Sequence, residues 1–227
     1  FQLGTTWIAE LTAIGALAPL DRRISGAEPI DTSDFFTAAL AAGRLDSVTY
    51  ALPWYVDTRV LYFRTDRLRT AGVRTVPSDW DAWIDALTRV RRAAAPDGYG
   101  VLLPLGEWET IVSLAWQHGA QILRDEGRYG DFRAPAFRAA LEDYLHLFRG
   151  GLAVPPESPG LDIHADFARG RFAFFVSGPW TVGVLGRRLP RALQREWSTA
   201  PLPGGNGPGL SVSGGSSLAI HARSAQP

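Results

Sequence analysis

The chain has 227 residues, no net charge, 46% hydrophobic and 20% charged residues, and neither cysteine nor methionine. That is enough chain for one large or two modest domains with a real core, and the composition reads as an ordinary globular protein. A neutral chain with no basic cluster beyond short Arg pairs excludes a phosphate-gripping nucleic-acid surface; missing cysteines exclude disulfides and thiolate metal sites; and no apolar run reaches the ~20 residues that span a bilayer.

Residues 5–17 predict a short helix ending near Gly15, before the Ala18-Pro19-Leu20 turn. A second helix is expected over 34–42, capped by Thr32 or Ser33 and stopped by Gly43. Residues 47–52 and 60–63 read as strands. Ser78, three residues before Asp81, forms a capping-box pattern for a helix carrying Trp80, Trp83, Ile84, Leu87 and Val90 at helical spacing. That helix stops before the turn Pro96-Asp97-Gly98. A short apolar strand follows over 99–103, then a helix over 107–117. Residues 135–148 predict a long amphipathic helix with Phe137, Leu141, Tyr144, Leu145 and Phe148 on one face and Gly150-Gly151 at its end. A short helix over Ile163–Arg169, a strand over 171–176, a helix opened by Gly178-Pro179-Trp180, a Pro- and Gly-rich loop over 201–209 and a strand-like segment over 211–220 complete the chain. Strands alternate with helices throughout, so the class is α/β.

The segment Pro53-Trp54-Tyr55-Val56-Asp57-Thr58-Arg59, ahead of the apolar run 60–63, is more polar and aromatic than a buried strand requires. Aromatic faces cover the C–H faces of a sugar ring, and a carboxylate accepts hydroxyl protons in charge-assisted bonds. The same residues also suit a strand entry with core aromatics and a surface ion pair. Trp180, at a helix start, is either a core residue or an aromatic surface beside free backbone N–H groups. Glu107 and Trp108 stand at the carboxyl end of a short strand, where open α/β sheets bind ligands; Glu109 reads more simply as an acid in the first helical turn. Gly214-Gly215 before Ser216-Ser217 is either a flexible turn or a backbone that admits a close approach, and it is not a P-loop, since no Gly-Lys-Ser/Thr is present. Trp7 is open between core and ligand surface, while Trp80, Trp83 and Trp197 are assigned to packing. The four histidines, at 118, 146, 164 and 221, have no ligand spacing and are read as structural. All 23 cationic residues are Arg, which points to coding bias rather than function.

Taken in order, Gly4-Thr-Thr-Trp7-Ile-Ala-Glu10 with 15–20, the stretch 53–66, Pro77-Ser-Asp-Trp80, Trp116-Gln-His-Gly-Ala120, Ser177-Gly-Pro-Trp180 and Gly214-Gly-Ser-Ser-Leu-Ala-Ile220 resemble the bacterial extracellular solute-binding proteins of family 1, the carbohydrate-binding subunits of ABC transporters. The resemblance runs along nearly the whole chain. It implies a type II periplasmic-binding fold of two α/β lobes with a sugar in the interlobe cleft. The first lobe, 1–52 plus 211–227, would be incomplete, and 53–210 would form the second.

By position in the family motifs, Tyr55 and Asp57 are implied as ligand contacts, Trp180 as the stacking surface of the second lobe and Gly215 as a close backbone contact. Glu107, Trp108, Trp7 and Trp54 are further ligand-binding candidates, and Arg59 is either a contact or a brace for the lobe crossing. The expectation is a binding protein with no catalytic residue, metal or cofactor, acting as a monomer with ABC permease subunits, outside the cytoplasm in the periplasm or as a cell-surface lipoprotein. No nucleic acid is expected, and membrane association is expected only through the permease or through an anchor not present in these residues. A start on Phe1 without Met reads as a processed chain or a cut fragment. The rival is a glycoside hydrolase using Asp57, Glu107 or Glu109 as paired carboxylates; a related binder for a non-sugar solute is a third reading.

Overall fold

The computed structural model describes every residue except 27, 28, 104, 105, 157, 159, 226 and 227. In chain order its elements are β1 (Gln2–Gly4), α1 (Ile8–Ala13), α2 (Asp21–Ile24), α3 (Thr37–Ala42), β2 (Arg44–Leu45), β3 (Val48–Thr49), β4 (Ala51–Thr58), β5 (Val60–Arg64), α4 (Thr65–Thr70), α5 (Trp80–Ala93) and β6 (Tyr99–Leu102). They continue with α6 (Trp108–Gln117), β7 (Leu123–Arg124), β8 (Tyr129–Gly130), α7 (Pro135–Arg149), α8 (Ile163–Arg169), β9 (Phe172–Ser177), α9 (Trp180–Arg188), β10 (Trp197–Ala200) and β11 (Ser213–Ala219). The chain divides into unit 1, Phe1–Thr58 with Ser213–Pro227, and unit 2, Arg59–Val212. These bounds lie beyond the expected 52/53 and 210/211. The reason is that β4 keeps its ladder with β11 as far as Thr58 opposite Ser213, so residues 53–58 stay with unit 1.

Unit 1 is built on a three-stranded antiparallel sheet in the order β1-β11-β4. Its core is small: Leu3, Ile8, Leu17, Ala51 and Ala219 pack together, with Leu11, Leu45 and Tyr50 partly buried against them. The hydroxyl of buried Ser216 donates to the Leu3 carbonyl at 2.8 Å, tying β11 to β1 through a side chain as well as the ladder. Two expectations fail here for local reasons. The helix placed over 34–42 is two elements. The carboxylate of Asp31, not Thr32 or Ser33, accepts from the Ser33 N–H at 2.9 Å and holds a single 3-10 turn; Phe35 then runs extended and α3 begins at Thr37. A short acidic side chain bonded to the backbone two residues on competes with helix continuation. The strand placed over 47–52 starts later, because Asp46 and Ser47, at φ 47° and 67°, form the tight turn of the β2–β3 hairpin, and it is interrupted at Tyr50, whose N–H donates to the Gly43 carbonyl at 2.9 Å.

Unit 2 holds a four-stranded sheet in the order β10-β5-β9-β6, with β6 parallel to β9 and the other pairs antiparallel. Strand alternation sends Leu61, Phe63, Phe174 and Val176 to one face, against Trp83, Leu87 and Leu147, and sends Tyr62 and Phe175 to the other, against Phe167, Leu185 and Leu189; Phe172, at the start of β9, joins this second cluster out of alternation. With both faces covered, Phe172 to Val176 reads as an unbroken apolar run and every residue in it is buried. The resulting architecture is helix, sheet, helix. A satellite cluster of Leu114, Ala115, Ala120 and Ala140 joins α6 to α7. Trp83 and the half-buried Trp80 and Trp197 all serve packing, as expected. The cap of α5 is Asp79, which accepts from the Ala82 N–H at 2.9 Å, rather than Ser78; the Ser78 carbonyl instead accepts from Gly204. Helix α4 and strand β10 have no counterpart among the expected elements.

At the end of β5, Arg64 is 1% exposed, a guanidinium inside the fold. Nε and Nη2 each donate to Asp66 at 2.8 Å, and Nη1 donates to the carbonyls of Phe167 and Ala168 at 2.6 and 3.0 Å, in the last turn of α8. That helix end carries partial negative charge, so the cation meets a carboxylate and a dipole together. Burial alone would raise the Asp66 pKa; the hydrogen bonds and charge of Arg64, aided by the Arg67 N–H, more than offset it and hold the carboxyl below its ordinary 3.8.

A carboxylate with a lowered folded pKa stabilises the native state above its unfolded pKa, and that contribution is lost as pH falls through the folded value. Arg64→Met should therefore destabilise unit 2 by about 2–4 kcal/mol at neutral pH. In urea titrations, the gap to the parent protein should shrink below about pH 4. A gap independent of pH would show that the ion pair is not its source.

Candidate functional site

Two groups of the expected residues emerge, one in each unit. In unit 1, Trp54, Tyr55 and Asp57 lie on β4, which among the described residues pairs within its sheet only with β11. The register steps between Ser216, opposite Tyr55, and Ser217, opposite Pro53, which leaves Trp54 as an extra residue in a β-bulge. The bulge breaks the usual in–out alternation, and Trp54, Tyr55 and Val56 are all exposed in succession. Asp57 is partly buried and stands opposite Gly214. Trp7, at the end of the 3-10 turn Thr5–Trp7, is exposed on a different element of the same unit.

Gly215, implied by the resemblance as a close backbone contact for a ligand, lies close to the neighbouring strand. Its φ is 132°, and a Cβ there would fall on the Tyr55 carbonyl oxygen and within 3.0 Å of the Val56 Cα. This glycine lets β11 pass the bulged strand, so its requirement is met by the fold without a ligand.

In unit 2, the organising residue is Arg59, the first residue after the chain leaves unit 1. Its Nε donates to Glu107 Oε2 at 3.1 Å and its Nη2 to Glu109 Oε1 at 2.7 Å. Its guanidinium carbon lies 4.8 Å from the centre of the Trp180 indole, over the ring. The backbone of Arg59 is clamped as well: its N–H donates to Ser211 Oγ at 3.1 Å, and that hydroxyl donates to the Arg59 carbonyl at 2.9 Å. The Val212 N–H donates to Ser113 Oγ, which donates to the Glu109 carbonyl at 2.7 Å. Both chain crossings are therefore bonded into the first turns of α6. Glu107 precedes α6 without capping it through its side chain, since its carboxylate is committed to Arg59. Trp108, the first residue of α6, is half exposed.

Trp180 opens α9 and is 49% exposed. Its ring folds back over Gly178: a Cβ on Gly178 would coincide with the six-membered ring of the indole. The Gly178 carbonyl is itself fixed by the hydroxyl of buried Tyr62 at 2.8 Å. A glycine seat and a guanidinium thus hold the indole while half of its surface stays open to solvent. The free N–H groups expected beside Trp180 are not all available, because Thr181 N–H donates to the Gly178 carbonyl and Val182 N–H to the Pro179 carbonyl.

The structure therefore gathers Glu107 and Trp180 around Arg59, and sets Trp54, Tyr55, Asp57 and Gly215 in one ladder. Gly178 is the member that sequence reasoning did not foresee as part of a site, and Glu109 was weighed only as an acid of the first helical turn or as a carboxylate of the rival hydrolase. Glu107 and Glu109 both face one guanidinium, an arrangement that holds Arg59 rather than flanking a bond to be cleaved. Among the described residues no group of acids and histidines is placed to hold a metal ion, and no helix is long and apolar enough to cross a membrane.

A mixed α/β chain with this sheet order, seated on these motifs, has the fold of the MalE-type binding proteins. The model of the family "Bacterial extracellular solute-binding protein" matches residues 1–227, and the chain belongs to that family. It is similar to the sugar-binding protein MalE from the phytopathogen Xanthomonas citri, with 38% identity and a TM-score of 0.85 over 97% of this chain and 56% of that one. It is also similar to the diacetylchitobiose binding protein DasA of Streptomyces coelicolor, 24% identical over 99% of this chain and 52% of that protein. The lactose-binding protein of Rhizobium radiobacter is 25% identical over 88% of this chain and 47% of that protein. The chain thus spans about half the length of the curated relatives it matches.

Two glycine substitutions separate scaffold from site. Gly215→Ala combines a strained φ with a backbone clash and should lower stability by about 2 kcal/mol or more in chemical denaturation. Gly178→Ala should displace the Trp180 ring and change the near-UV circular dichroism of a protein that still folds; an unaltered aromatic spectrum would show that the ring does not depend on that seat.

Proposed function

We propose that this chain is the ligand-binding part of an extracytoplasmic substrate-binding protein of an ABC importer, and that its ligand is a sugar or oligosaccharide. The observation that carries this reading is Trp180: an indole pinned on a glycine and a guanidinium with half of its surface exposed. An aromatic held in place but left open stacks on the apolar face of a pyranose without losing further side-chain entropy on binding. Glu107, more exposed than Glu109 and bonded to the same guanidinium that lies over the ring, is the acceptor for ligand hydroxyls in unit 2.

In unit 1 the outward-facing pair Trp54 and Tyr55, together with Asp57, offers the same chemistry of flat faces and a carboxylate. Trp7 and Trp108 are secondary aromatic candidates. The two units are read as the two lobes of the family fold. The names of the relatives, which include sugar-, diacetylchitobiose- and lactose-binding proteins, support a carbohydrate as the ligand class. Membership in a solute-binding family supports delivery to permease subunits and a location outside the cytoplasm, and argues for binding without turnover.

The test is calorimetry of the purified protein against maltose, lactose, diacetylchitobiose and longer maltooligosaccharides. At least one should bind without product formation, and Trp180→Ala should weaken that binding by about 1–2 kcal/mol, or roughly 5- to 30-fold. Release of shorter sugars on prolonged incubation would favour the hydrolase. Unchanged affinity in folded Trp180→Ala would remove Trp180 from the site.

A further inference from the structure

We propose that Arg59 is a positioning residue for the stacking surface. It acts through Trp180 by fixing the indole before any ligand arrives, and it does not itself bind the ligand. The inference rests on the carbohydrate reading of Trp180 and adds to it the element that sets its strength. The Arg59 side chain is 11% exposed, and two of its nitrogens are taken by Glu107 and Glu109, so the guanidinium plane has little freedom. Its guanidinium carbon lies over the indole, 4.8 Å from the ring centre, while half of the Trp180 surface stays exposed.

A guanidinium is suited to this task because it is planar and weakly hydrated and stacks on an aromatic face; an ammonium is a compact, strongly hydrated point charge and cannot cover the ring. The contacts also set an order of dependence. Ser211 clamps the Arg59 backbone, Glu109 orients the guanidinium, and the guanidinium and Gly178 orient the ring. Glu109 is the better shielded of the two acids, at 17% side-chain exposure against 37% for Glu107. This makes Glu109 the orienting partner and leaves Glu107 the more accessible one.

A restrained ring loses less freedom on binding, so the consequence is a gain in affinity with no added ligand contact. Removing the restraint should cost affinity only while the indole is present.

The experiment labels the protein with 5-fluorotryptophan and assigns the Trp180 fluorine resonance by its loss in Trp180→Phe. Arg59→Lys and Glu109→Gln, chosen because each keeps the size of the side chain, are then compared with the parent protein in the absence of sugar. In both, the Trp180 resonance is expected to shift and narrow, more in Arg59→Lys. With the oligosaccharide bound best by the parent, Arg59→Lys should weaken affinity about 3- to 30-fold, and introduced into Trp180→Ala it should weaken it no further. A Trp180 resonance unmoved in both variants overturns the proposal. So does an affinity loss of equal size with and without the indole, which would make Arg59 a direct contact. Failure of the carbohydrate reading is seen separately, as no binding of any tested sugar by the parent protein, and the resonance test, made without sugar, still decides whether Arg59 holds the ring.

Discussion

A guanidinium at each end of a buried strand is the constraint on which unit 2 turns. β5 lies inside the sheet between β10 and β9, with Leu61, Tyr62 and Phe63 almost wholly buried. It is flanked by Arg59 just before it and closed by Arg64, and neither cation can be left without acceptors in such a place. Arg64 is met by Asp66 and by the carbonyl end of α8; Arg59 is met by two glutamates at the start of α6. Each solution draws a helix terminus onto an end of the strand. The sheet thereby fixes where α6 and α8 begin and end, and through Arg59 it also fixes an indole on α9. Core packing sets the layers of this unit, while the charged ends of β5 set their register along the strand.

The two exposed aromatic groups are made by different means. In unit 2 the indole is held by tertiary contacts: a glycine without Cβ beneath it, a cation over one face and a tyrosine hydroxyl fixing the glycine carbonyl. In unit 1 the display of Trp54 and Tyr55 is a backbone effect, produced by one extra residue in a ladder. The first kind can be tuned by changing a neighbour. The second changes only if the pairing of β4 with β11 changes, and Gly215 is the residue that holds that pairing at close range.

Much of the fold could be read from residue order. Helix α8 matches its expected bounds, and α7 differs by a single residue, because apolar spacing, Asp162 or Pro135 at the start and glycine at the end all point the same way. Elements without a periodic signal escaped, among them β1 and β10, too short for alternation to register, and α4, which begins directly at the end of a strand. The candidate site was legible only in part. Trp180, Tyr55 and Asp57 stand in recognisable motifs, but the ties of Arg59 to Glu107 and Glu109 span 48 and 50 residues and leave no local trace. The role of Gly178 was hidden for a different reason. A glycine before Pro-Trp looks like a helix start, and only in the folded chain does the ring lie back across it.

The bulge at Trp54 has a consequence for association between molecules. Within its sheet β4 is an outer strand, and three apolar side chains exposed in succession would ordinarily make such a strand a template for intermolecular pairing. Pro53 carries no N–H to donate, and the residue beside it is the one that disrupts the ladder. The irregularity that turns the aromatics outward therefore also denies an incoming chain a straight row of donors and acceptors. The display of these side chains and the irregular edge of β4 thus have a common origin, and a flatter, more regular β4 would change both.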